Sequence, residues 1–262
     1  MDDLALAQTL ANGASDLALT YLASVPLQVV DKQDGSLVTT ADRAIEEQIY
    51  ETLHRARPND SFLGEETGAR GEGRRRWIVD GIDGTASFAT GGRQWGTSIA
   101  LEEEGDLVAG VVEAPLLGRR WWATRGQGAY LLDRERRSCA TSRLHVSHAR
   151  TLAAARLGIG PPAASLAGWR ARIVAEFASR SLVRPEGGDY ALLIAEDKLD
   201  AFLFLGGGPW DYAAMAVIVE EAGGWWSDLA GSRQLDRGAL VVTNKHIHKE
   251  IIEVTSRFAD PL

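Results

Sequence analysis

The sequence predicts a mixed α/β (α+β) fold, with helices alternating with strands and several strand pairs placed to form hairpins. Three observations carry this expectation. Ala7, Leu10, Ala11, Ala14, Leu17, Ala18, Tyr21 and Leu22 recur at the period of an amphipathic helix. The apolar runs Thr97–Leu101 and Leu107–Val112 flank Glu102-Glu103-Glu104-Gly105-Asp106, a solvated hairpin tip. The buried-strand run Ala201–Leu205 breaks at Gly206-Gly207-Gly208-Pro209-Trp210-Asp211, before a helix carrying Ala213, Ala214, Val217, Ile218 and Ala222. Hairpins combined with strand-to-helix connections imply a mixed rather than purely parallel sheet.

The remaining elements follow in order. The first helix covers residues 3–23. Asp34-Gly35 reads as a turn, and a second helix begins between Thr39 and Asp42, with Ala41, Ala44, Ile45, Ile49 and Leu53 on its apolar side. Arg57-Pro58-Asn59-Asp60 stops it, and a short strand with Phe62 and Leu63 delivers Gly64-Glu65-Glu66. Ala69–Arg76 is glycine-rich and basic, the composition of a mobile surface loop. Trp77-Ile78-Val79 is a buried strand ending at Asp80. Arg119–Thr124 is a further strand and Gly126-Gln127-Gly128 a turn; without a third glycine it is no dinucleotide fingerprint. Beyond residue 140, Pro161 and Pro162 mark a loop, while Leu166–Ser179 and Tyr190–Glu196 read as helices. Gly223-Gly224 closes the helix after Asp211, Leu240-Val241-Val242 is a late strand, and a terminal helix starts near His246.

Composition bounds the function. At 262 residues the chain is one large domain, residues 1–262, divisible into an N-terminal half (1–140) and a C-terminal half (141–262). A net charge of −8 argues against nucleic acid as a partner, because phosphate backbones want a basic face. Cys139 is the sole cysteine, so neither a disulfide framework nor a multi-cysteine metal site is available. No apolar run approaches a membrane span and the start lacks the pattern of a secretory signal, which points to the cytoplasm.

The chemistry centres on Asp80-Gly81-Ile82-Asp83-Gly84-Thr85. Two carboxylates stand at the carboxyl end of a strand, where open α/β sheets form ligand crevices. Two such charges about 4 Å apart repel by roughly 4 kcal/mol at an effective dielectric near 20. A divalent cation relieves that repulsion, and carboxylate oxygens are the ligands Mg²⁺ prefers. Alone, this segment also reads as a turn with solvated acids, Glu65 as an exposed loop acid, and Asp211 as a helix N-cap. Their joint order is far more specific than any one of them.

In that order the chain resembles the inositol monophosphatase family of Mg²⁺-dependent, lithium-sensitive phosphatases. The resemblance rests on Leu37-Val38-Thr39 with Asp42, Gly64-Glu65-Glu66, Asp80–Thr85, Trp210-Asp211 with Ala213-Ala214, and Glu221-Ala222-Gly223-Gly224. Ala56-Arg57-Pro58, Leu63–Glu66 and Arg119–Ala123 look most like actinobacterial histidinol-phosphate phosphatases. It implies a layered αβαβα sandwich of the inositol monophosphatase and fructose-1,6-bisphosphatase type, two to three Mg²⁺ ions, a small phosphorylated metabolite as substrate, and a homodimer. Glu65, Asp80 and the Ile82 carbonyl would hold one ion. Asp80, Asp83 and Asp211 would hold a second, and Glu65 a looser third. Thr85 and Glu65 would position and help deprotonate the attacking water, with Asp42 supporting Thr85 or the third ion. Gly84 and Thr85 would offer amides to the phosphate, near the positive end of the helix at Asp211.

Departures bear on the substrate. Gly81 stands where the family usually carries proline, which leaves the turn less rigid. Phe204 stands where inositol and histidinol phosphatases place a glutamate that contacts a substrate hydroxyl or amine, and a ring cannot accept that bond. Asp189 resembles an acid near the amine in histidinol phosphatases, or else caps the helix from Tyr190. Arg184 is a substrate or dimer contact, or a solvated loop arginine. The reaction read here is therefore hydrolysis of histidinol phosphate or a related aminoalcohol or polyol phosphate. The alternatives are a cyclitol, sugar or nucleoside phosphate, and, in another class, a catalytically silent module that binds a phosphorylated ligand or a protein. The five histidines stand away from the acidic motifs and read as surface or packed residues. One ring of each pair Trp121-Trp122 and Trp225-Trp226 is expected to pack while the other faces an interface.

Overall fold

The structure, a computed structural model, describes residues 1–24, 27–32, 35–135, 141–161, 166–178 and 191–258. Helix α1 (Asp3–Ser24) opens the chain, followed by a two-stranded hairpin of β1 (Val29–Asp31) and β2 (Leu37–Thr39). Helix α2 (Thr40–Ala56) then starts at a reciprocal cap. The Thr39 hydroxyl accepts the Ala41 amide, and Asp42 reaches back to the Thr39 amide at 2.9 Å.

The large sheet contains β3 (Ser61–Gly64), β4 (Gly68–Arg70), β5 (Arg75–Asp83), β6 (Gly96–Glu103), β7 (Asp106–Ala114), β8 (Arg119–Thr124), β9 (Gly128–Asp133) and β10 (Thr141–Arg143). Their order is β10-β9-β8-β7-β6-β5-β3-β4; β3 and β5 run parallel and the other neighbours antiparallel. Short helix α3 (Thr85–Ala89) sits between β5 and β6. The second sheet holds β11 (Leu157–Gly160), β12 (Ala201–Phe204), β13 (Trp225–Ser227) and β14 (Leu240–Thr243) in the order β11-β12-β14-β13. Helices α4 (Trp169–Phe177), α5 (Leu192–Ala195), α6 (Pro209–Glu221) and α7 (His248–Thr255) are the remaining α-helices among the described residues.

Three apolar cores stack these elements into five layers. Alternation along the strands sends Trp77, Val79, Ile99, Leu101 and Val111 to one face of the large sheet, where they meet Leu6, Leu10 and Ala14 of α1 and Ile45, Ile49 and Leu53 of α2. Ile78, Ala100, Val112 and Trp121 face the other way, onto α6 and the inner residues Phe202, Trp226, Leu240 and Val242 of the small sheet. Leu157, Ala201, Leu203 and Val241 then meet Ile173 and Phe177 of α4 and Ile251 and Val254 of α7. The result is αβαβα, as the resemblance implied. Helix α6 is buried from Tyr212 through Val219, the burial a helix apolar all round requires. Gly110 of β7 permits its close approach: a Cβ there would lie 2.5 Å from Val217 Cγ1.

The structure departs from expectation at several elements. Ala69–Arg76 is not a continuous mobile loop. β4 pairs with β3, and Arg70 is held by Glu47 (2.9 and 2.7 Å) and lies over the Tyr50 ring. The strands β6 and β7 extend into the glutamate tip and turn only at Glu104-Gly105, both with positive φ. Each tryptophan pair alternates as expected: Trp121 and Trp226 are buried, Trp122 is half-buried and Trp225 exposed.

Candidate active site

Strand β5 carries the centre. It pairs regularly with β6 up to Asp80 opposite Ser98, then shifts register so that Asp83 stands opposite Gly96. The three-residue step on β5 against two on β6 is a bulge, a device that re-aims side chains at sheet ends. Asp80 is buried and its Oδ1 accepts the Ile82 amide at 2.9 Å. Gly81 is buried too, and its carbonyl accepts the Thr97 hydroxyl at 2.9 Å. A Cβ at residue 81 would stand 3.1 Å from the Asp42 carbonyl and 3.2 Å from Glu46 Cγ, so α2 backs this turn closely.

Topology brings the other acids here. Because β3 lies beside β5 in parallel, with Gly64 opposite Val79, Glu65 emerges next to Asp80. Its amide bonds the Val79 carbonyl at 3.2 Å. Asp211 arrives from the first turn of α6. It is not the N-cap: Gly208 is, and Asp211 is the third helical residue, its Oδ2 accepting the Gly208 amide at 2.5 Å. A side chain on Gly207, whose φ is +90°, would strike that carboxylate at 2.3 Å. Carboxylate oxygens of Glu65, Asp80 and Asp211 lie within 4.8 Å of one another.

The acids disturb one another. Burial pushes Asp80 well above the usual carboxylate range, and the charges of Glu65, Asp83 and Asp211 push further. Burial carries Asp211 up to about 7 against the lowering bond from Gly208. Burial also raises Glu65, opposed by Lys32, whose Nζ lies 2.7 Å from Glu65 Oε1 and also contacts Glu66. For Lys32, burial works against the charge, but the bonds to Glu65 and Glu66 outweigh it and raise its pKa.

Beside this cluster, Thr85 Oγ1 stands 3.0 Å from Asp42 Oδ1 and 3.1 Å from the Ile82 carbonyl. Its one proton serves a single acceptor well at a time. The other Asp42 oxygen accepts from the amide and hydroxyl of Thr39, so the α2 cap also fixes the carboxylate that faces Thr85. Gly84, in the left-handed region at φ +88°, turns the chain from β5 into α3. Asp83 and Asp211 line a cavity of about 240 Å³ with Gly160, Pro161, Phe202, Phe204, Gly206 and Gly207. Asp189 and Arg184 lie outside the described residues.

Two residues went unmarked in the sequence. Glu46, fully buried in α2, accepts the amides of Glu66 and Thr67 and the Thr67 hydroxyl, holding the turn that presents Glu65. Its signal was an acid four residues after Asp42 along the apolar side of α2. Lys32 had no comparable signal. Among the histidines, His248 is packed. Its ring lies between Ser227 (2.9 Å) and Thr243 (3.1 Å), and burial lowers its pKa to about 4.

Converging carboxylates, Asp80 buried and Glu65 and Asp211 half-buried, beside a hydroxyl–carboxylate pair suit a hard cation and an oriented water. The sequence profile of the inositol monophosphatase family matches residues 2–258. The chain is 38% identical to a histidinol-phosphatase of Streptomyces coelicolor, the alignment covering 96% of each chain. It is 34% identical to an inositol-1-monophosphatase of Rhizobium meliloti, over 96% of this chain and 95% of that one. In structure it superposes on the Thermotoga maritima IMPase with a TM-score of 0.81, at 26% identity over 98% of both chains. The Bartonella henselae extragenic suppressor protein suhB gives 0.82 at 29% identity, again over 98% of both. Agreement over nearly the whole sequence, on a shared five-layer architecture, places the chain in the inositol monophosphatase family, and it is a phosphatase of small phosphorylated molecules.

Proposed function

We propose that the protein is a Mg²⁺-dependent phosphomonoesterase that hydrolyses histidinol phosphate or a related aminoalcohol or polyol phosphate through an activated water. The observation that carries this is the approach of Glu65, Asp80 and Asp211 within 4.8 Å, beside the Thr85–Asp42 pair. An all-oxygen donor set that raises its own pKa values fits a hard divalent ion. Glu65, Asp80 and the Ile82 carbonyl would hold one ion and Asp80, Asp83 and Asp211 a second, with Glu65 also available to a third. Bound there, Mg²⁺ would neutralise phosphoryl charge and acidify a water.

The chain's own residues do the positioning. Thr85 donates its hydroxyl proton to Asp42, leaving its oxygen lone pairs to accept from the attacking water. Glu65 takes the proton that water gives up. Gly84 and Thr85 direct amides at the phosphate, and the N-terminal end of α6 adds positive potential. Residues 1–262 act as one catalytic domain, the half up to 140 supplying most ligands and the half from 141 supplying Asp211 and the cavity wall. No helix among the described residues is long and apolar enough to cross a membrane, and the cytoplasm is the proposed setting. Family resemblance supports a homodimer, for which sedimentation should give twice 28.3 kDa.

The deciding experiment is phosphate release from p-nitrophenyl phosphate after chelation, with Mg²⁺ then restored. Release that returns with Mg²⁺ and falls again with Li⁺ or Ca²⁺ is the expected result. Equal release in excess chelator would defeat the metal assignment.

A further inference from the structure

The wall beyond the acid cluster is apolar by construction. Phe202 and Phe204 stand two residues apart on β12 and share the face toward α6. The Phe202 ring lies across the neighbouring strand: a Cβ on Gly158 would meet it at 2.6 Å, and one on Gly160 at 2.9 Å. Glycine at both positions is what lets the ring lie flat against β11. Phe204 meets Phe202 edge-on, centroids 4.7 Å apart at 64°, and Tyr212 supports it from α6 at 5.5 Å. Both phenylalanines line the cavity that Asp83 and Asp211 also line. Gly160, Pro161, Gly206 and Gly207 supply the rest of its described lining, so its only described charged groups are the two acids.

We propose that Phe204, set against Phe202, determines specificity by seating a flat aromatic ring on the alcohol side of the phosphate ester. This rests on the phosphatase reading and narrows its substrate away from polyol phosphates, toward esters whose alcohol carries a ring. With the phosphate near Asp83 and Asp211, the leaving alcohol extends toward Phe204. A polyol placed there would surrender its hydration to rings that accept no strong hydrogen bond. An aryl or heteroaryl face gains edge and stacking contact instead. Apolar walls discriminate by about 10- to 200-fold for small differences in the ligand, which sets the size of the effect.

The test compares kcat/KM for phenethyl phosphate with that for glycerol 2-phosphate and inositol 1-phosphate, all with saturating Mg²⁺. The wild-type protein should favour phenethyl phosphate at least tenfold. In Phe204→Ala that ratio should fall toward unity, chiefly through KM of the aromatic ester, and in Phe204→Glu it should turn in favour of the polyols. Thermal melts establish that each variant is folded, and the wild-type ratio stands without them. Metal-dependent release with no aromatic preference, or a preference untouched in folded Phe204→Ala, overturns this assignment alone. Release from none of the esters, including p-nitrophenyl phosphate, overturns the phosphatase reading and the inference with it.

Discussion

Asp211 shows how one residue serves several ends. Its carboxylate closes the first turn of α6, lines the cavity and approaches Asp80 and Glu65. Asp211→Asn keeps the shape and one acceptor oxygen while removing the charge, so metal-dependent turnover should fall by at least ~100-fold, measured as phosphate release. The same change should stabilise the metal-free protein, because the wild-type folded state raises this carboxyl from 3.8 to about 7. Between those values the folded state holds a proton that the unfolded state has lost, so the group's contribution to stability declines as pH rises. The melting-temperature advantage of Asp211→Asn in chelator should therefore be larger at pH 8 than at pH 5. Lys32 acts in the opposite sense: its ammonium lies 2.7 Å from Glu65, where an incoming cation must compete with it. Lys32→Met should tighten Mg²⁺ binding a few-fold by titration calorimetry.

Among the elements, α6 carries the most. It runs between the two sheets, packs against both, and delivers Asp211 from its first turn. Such a helix leaves no room for extra atoms. Gly110→Ala would place a methyl 2.5 Å from Val217 Cγ1 and 2.9 Å from the Ala214 carbonyl, a clash worth about 1–3 kcal/mol of stability. Denaturant melts should read that loss. The helix itself was legible in its Gly-Pro start, apolar body and Gly223-Gly224 end, because caps and periodicity are local. β4 and β10 were not. Each is three residues long, and edge pairing rather than sequence pattern makes them strands.

Taken whole, the molecule gathers its acids from three separate places: the end of β3, the end of β5 and the start of α6. Cation binding there should stabilise the entire fold, since the unfolded chain has no such site. Mg²⁺ at 100 times its dissociation constant should add about 2.7 kcal/mol, seen as a rise in melting temperature. Asp80→Asn should abolish the rise. The middle core makes the effect global, since it joins Ile78 and Val112 of one sheet to Phe202 and Val242 of the other.

The order Glu65, Asp80, Asp83, Thr85, Asp211 made the phosphatase class legible in the chain through the family resemblance it carries, because motifs built on local turns keep their spacing in sequence. The parallel seating of β3 against β5 is what turns Glu65 from a loop acid into a neighbour of Asp80. Only folding could show that Lys32 reaches Glu65 and that Glu46 supports the turn below it, and folding set Asp42 against Thr85, one of the two placements the resemblance implied. Those contacts span from 20 to 43 residues of sequence, and no periodicity encodes them. Phe204 divides the same way. Its identity is plain in the sequence, but its place in an aromatic wall depends on two glycines of a neighbouring strand. Local chemistry is written in order along a chain, whereas a cavity is made by residues that only packing brings together.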